Sequence, residues 1–255
     1  MVLKSSPIRL LDLEEPASWP EELLVFLDQN HQLFLDWEND PSKVGGSTYD
    51  RAIYRLRDVM QPFAITGWHC TRLTKAEIDE IISSGVQLPD ASMLIRRIDA
   101  LVDAGSISKS VAHRLKTENQ ADDSNRAGLI WFCFFPPRVG GQLGIERFFR
   151  HWGGEALYNS HERDPETSVP ISSVGVPCLI EADVPIASLE PNGGLDFKVV
   201  RRFLIHHGFQ TVEPVDHEDR MVSPLPAENI RRIIVFPEPE FVELTGCETW
   251  TDPIG

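Results

Sequence analysis

The sequence is poor in cysteine. The 255 residues include four, Cys70, Cys133, Cys178 and Cys247, and no two form a C-x-x-C pair. That spacing excludes a zinc knuckle or ribbon at the motif level. His161-Glu162 opens like a zinc-helix motif, but Pro165 stands where the second histidine belongs, so no metal is expected. Long apolar runs are lacking too. None approaches the roughly 18 residues a membrane helix needs. The first thirteen residues mix Lys4, Arg9 and Asp12 with apolar side chains, unlike a secretory signal. A cytoplasmic protein with reduced thiols and no membrane partner is the expectation. Positive charge is short: 24 Lys and Arg against 39 Asp and Glu leave a net charge of −15. An acidic protein of this kind repels phosphate backbones, so nucleic acid is not expected as a bulk electrostatic partner. Phosphate-loop, dinucleotide-fingerprint and nucleophile-elbow motifs are all missing, as are internal repeats.

What is there reads as α+β. Residues 20–35 carry apolar side chains at helical spacing after Pro20, and residues 49–60 place Ala52, Ile53, Leu56 and Met60 on one stripe. Residues 63–68 form a short apolar strand. Thr74 with Glu77 three positions on is a capping-box pattern opening a helix that ends at Gly85. Residues 92–104 and 108–119 read as two helices that could be lifted out without disturbing the patterns on either side. Residues 128–135, 176–186 and 229–236 are strong strand signals. Residues 145–159 read as a helix interrupted at Gly153-Gly154, with Phe148, Trp152 and Ala156 on one stripe, and residues 197–207 as another helix. Pro237 to Glu240 reads as an exposed turn. The expected organisation is an N-terminal helical extension (1–62) and a core (63–255) bearing a helical-hairpin insertion (91–125).

The chemistry-bearing segment is Gly67-Trp68-His69-Cys70-Thr71-Arg72-Leu73. On a strand, residues i and i+2 share a face, so His69 and Thr71 can point into one cleft, with Cys70 turned away. A hydrolase using Cys70 or Cys133 with a histidine is thereby disfavoured, and Cys133 lies in a strand expected to be buried.

This segment, followed by a helix carrying Ile78, Ile81, Ile82 and Gly85, resembles the first motif of the ADP-ribosyltransferase fold, a strand with H-x-[ST] before such a helix. Residues 128–135 and the helix after them are similar to that family's middle strand and A/Y-containing helix. Residues 217–230 are similar to its acid-bearing segment and closing strand. The resemblance spans roughly residues 63–241, without the insertion. It implies an ADP-ribosyltransferase-like arrangement of mixed sheets, NAD as substrate, and transfer of ADP-ribose to an unknown acceptor or hydrolysis of NAD. It further implies that His69 and Thr71 hold a ribose hydroxyl, that Trp131, Phe132 or Tyr158 stacks on nicotinamide, and that Glu218 is the catalytic carboxylate, with Asp219 and Glu228 as competitors. The middle strand offers Trp131 and Phe132 where the family often has tyrosine. A non-catalytic interaction module on the same fold is the alternative expectation.

Overall fold

The structure is a computed structural model that describes residues 9–211, 213–214 and 216–254. In chain order the strands are β1 (Arg9–Leu11), β2 (Phe63–Leu73), β3 (Ile130–Cys133), β4 (Val176–Pro185), β5 (Glu218–Met221) and β6 (Ile230–Val235). The helices are α1 (Glu21–Gln29), α2 (His31–Asn39), α3 (Gly46–Met60), α4 (Lys75–Ser84), α5 (Ala91–Asp103), α6 (Lys109–Thr117), α7 (Gly141–Arg150), α8 (Glu155–His161), α9 (Pro165–Ser173), α10 (Leu195–His206) and α11 (Pro239–Thr245). The strands form one sheet in the order β5-β3-β2-β4-β6, antiparallel throughout, and β1 adds to the start of β2 in parallel. The chain is therefore α+β.

Helices cover both sheet faces, which explains why β2 and β4 read as apolar runs rather than alternating strands. On one face Phe63, Ile65, Phe132, Ala182 and Val184 join the apolar sides of α1, α3 and α10. On the other, Trp68, Leu179 and Ile234 meet Ile145 and Phe149 of α7, Phe241 of α11 and Trp250. Gly67 has a steric reason: a Cβ there would lie 2.9 Å from the Phe134 ring and 3.3 Å from that of Phe132, so only glycine lets both rings lie on the strand.

Several sequence expectations change in detail. The helix over 20–35 is two helices, because Asn30 leaves helical geometry and donates its side-chain amide to the Phe26 carbonyl at 2.8 Å. The stripe Phe148–Trp152–Ala156 is broken between α7 and α8, and Trp152 is fully buried in the break. Pro239 starts α11 rather than lying in a turn, in keeping with proline's fixed φ at a first helical position. Helices α5 and α6 form where the hairpin is expected. Their apolar faces, with Leu94, Ile98 and Leu115, build one core with Trp152, Leu157, Ile171 and Val174.

Candidate functional site at the fork between β2 and β3

Strand β2 pairs with β4 continuously from Ala64↔Pro185 to Leu73↔Val176. With β3 it pairs at one point, Trp68↔Cys133. Strand β3 instead holds β5 from Ile130↔Met221 to Cys133↔Glu218. Beyond Trp68, β2 and β3 part, and His69 is the first residue of the fork.

The Nδ1 of His69 lies 2.8 Å from the Trp131 carbonyl oxygen across the fork. A carbonyl only accepts, so Nδ1 carries the proton and Nε2 is left as the acceptor. Burial lowers the imidazole's pKa; the Trp131 bond opposes this and the charge of Arg97 adds to it. The ring is thus neutral at pH 7. Thr71, partly buried, leaves β2 on the same face as His69.

The three aromatic candidates separate. Phe132 sits 5.9 Å from the His69 ring, but it is 1% exposed and belongs to the main core. Tyr158 is 2% exposed, with the Arg147 guanidinium 4.0 Å over its ring and Phe148 against its edge. Burial and the neighbouring Glu155 push its phenol well above the ordinary range. Among the described residues no hydrogen bond or ring contact joins Tyr158 to His69. Trp131 alone of the three remains partly accessible. Its Nε1 donates to the Asn125 carbonyl at 3.2 Å, and Arg220 lies 5.0 Å over the ring.

The acids separate as well. Glu218 is exposed at the start of β5, opposite Cys133. Strand alternation puts it on the face of Cys133 and Trp131, away from the face on which His69 leaves β2. Its charge nevertheless bears on both fork thiols, Cys70 and Cys133. Asp219 faces the other way, opposite Phe132, and is 3% exposed. Its Oδ1 accepts from the Arg220 N–H at 2.8 Å, and its Oδ2 lies 3.8 Å from His217 Nε2. A Cβ on Gly193 would come within 1.7 Å of that Oδ2, so the turn before α10 closes over the carboxylate. Glu228 is exposed in the turn Ala227–Asn229, which packs against Gly85.

Two features escape sequence reasoning. Glu77 is more than half of a capping box. It accepts from the Thr74 N–H at 2.7 Å, from Arg97 Nε at 2.6 Å and from Trp152 Nε1 at 3.0 Å. Burial would raise its pKa, but Arg97 and these donors outweigh that and hold it below the usual range. Arg97 lies over the Trp152 ring at 4.6 Å, so one carboxylate ties α4 to α5 and to the α7–α8 break. The second feature is the meeting of Cys70 and Cys133, which are 63 positions apart in the chain. The Cys70 thiol is pushed well above its ordinary range, first by hydrogen bonding with Cys133 and then by burial. A thiol held protonated is a poor hydrolytic nucleophile.

Two surface cavities, of about 590 and 360 Å³, are lined by residues of α1–α3 and by the start of α10, and none of the sequence-predicted site residues lines either. Among the described residues no helix is long and apolar enough to cross a membrane. Comparison with protein-family models, curated proteins and solved structures finds no match to this chain.

Proposed function

We propose that the fork binds NAD and breaks its nicotinamide–ribose bond, passing ADP-ribose to an acceptor or to water. One observation carries the reading: a neutral imidazole in a parted pair of strands, with Nδ1 fixed on the Trp131 carbonyl and Nε2 presented as an acceptor. A ribose hydroxyl is the natural donor to that nitrogen. Thr71 supports the same sugar; Trp131, the accessible ring, leaves β3 on the opposite face and meets nicotinamide only through the gap where the two strands part, its face apolar and its edge polar.

Cleavage passes through an oxocarbenium-like state, which a nearby carboxylate stabilises electrostatically. What supports Glu218 in that role is its exposure at the rim of the fork, on the Trp131 face, from which it reaches the ribose through the gap between the strands; Asp219, on the His69 face, is closed off behind Gly193. The test is nicotinamide release from NAD. The Glu218→Gln variant should retain the fold and most NAD affinity while turnover falls about 10²–10³-fold. Turnover equal to that of an active wild type would remove Glu218 from the mechanism.

A further inference from the structure

We propose that Cys70 and Cys133 are a redox-active thiol pair, oxidised to a disulfide across the fork by a low-molecular-weight disulfide of the glutathione class. The inference does not depend on NAD. Cys133 is the β3 residue paired with Trp68, and Cys70 follows Trp68 by two positions. Both thiols therefore lie on one face, on the diagonal of a cross-strand pair. Both are free and partly accessible, whereas Cys178 and Cys247 are buried. Diagonal neighbours lie about 7–8 Å apart, just beyond the span of a disulfide, so closing the bridge draws β2 and β3 together, and because the ladder ends at Trp68↔Cys133 this movement breaks no strand pairing. The two thiols already perturb each other. Hydrogen bonding with Cys70 lowers the Cys133 thiol, against burial and the charge of Glu218.

Either thiol can open the exchange, and the steps from Cys70 mirror those from Cys133. The Cys133 thiolate attacks one sulfur of glutathione disulfide and expels a glutathione thiolate, leaving Cys133 as a mixed disulfide. Cys133 can then no longer hold Cys70 protonated through a shared hydrogen bond or a negative charge. Cys70 gives its proton to the expelled thiolate and attacks the Cys133 sulfur, releasing the second glutathione. Two protein thiols lose two electrons and two protons in all, and one glutathione disulfide becomes two glutathiones.

The native full-length protein is equilibrated with excess oxidised glutathione, blocked with N-ethylmaleimide, digested with trypsin and analysed by mass spectrometry without reduction. Cleavage after arginine leaves Cys70 in residues 58–72 and Cys133 in residues 127–138, one cysteine in each peptide. The expected product is these two peptides joined by a disulfide that reduction with dithiothreitol separates. Cys70→Ser should instead accumulate glutathione on Cys133, because the resolving thiol is gone. Recovery of both wild-type peptides unlinked would overturn the proposal, whether they carry maleimide or glutathione. So would linkage that forms only after denaturation. The wild-type result stands alone if the variant fails to fold by circular dichroism.

Discussion

At the scale of the residue, position relative to a sheet face decides which acid can serve. Glu218 and Asp219 are neighbours, yet one is exposed and the other is enclosed by Gly193 and His217. Their amide variants should therefore fail differently. Asp219→Asn should lower stability by roughly 1–3 kcal/mol, since a buried hydrogen-bonded carboxylate is disturbed. Glu218→Gln should leave stability within about 0.5 kcal/mol, as exposed substitutions do. Urea unfolding of both variants checks this, and equal losses would refute the burial argument. His69 with Thr71 was legible in the sequence, because a strand's period of two follows from local order. The rank of the aromatic candidates was not. Phe132, Trp131 and Tyr158 look alike in a sequence, and only packing shows that two of them serve the interior.

At the scale of the element, the capping box at Thr74 and Glu77 was legible because its partners are three residues apart. Its second task was not, because Arg97 and Trp152 come from distant segments. Glu77→Ala should cost roughly 2–4 kcal/mol, combining a lost cap with an Arg97 charge left without its partner. Glu77→Gln, which can still accept hydrogen bonds, should cost less. Chemical denaturation reads both, and a loss below about 1 kcal/mol for the alanine variant would mean the hub is dispensable. The same limit explains the hairpin α5–α6. Periodicity placed the helices but could not say what their apolar faces meet. They meet Trp152 and Leu157, which makes the hairpin half of a core. Strands β1 and β5 leave little signal in the sequence because each is short, Arg9–Leu11 and Glu218–Met221, and β5 begins with charged residues that depress strand propensity.

At the scale of the whole molecule, three histidines are held neutral by burial. His69, His151 and His161 all have pKa values lowered from the ordinary 6.5, in each case chiefly through loss of solvent. Below about pH 6.5 the unfolded chain binds protons that the native state refuses, so stability is full above that pH and declines as pH falls toward the lowered native values. The slope is at most about 1.4 kcal/mol per pH unit for each histidine. Urea midpoints measured between about pH 8 and 5.5 should fall toward the acid end. A flat profile would contradict the burial assigned to these rings.

The reading that we propose places NAD on the imidazole in the fork. Calorimetric titration of NAD into the wild type and into His69→Ala tests it most directly. Saturable binding by the wild type is expected, weakened roughly 10–100-fold in the variant, as for one lost hydrogen bond in a cleft. Absence of NAD binding by folded wild-type protein, or equal affinity in the two, would contradict it.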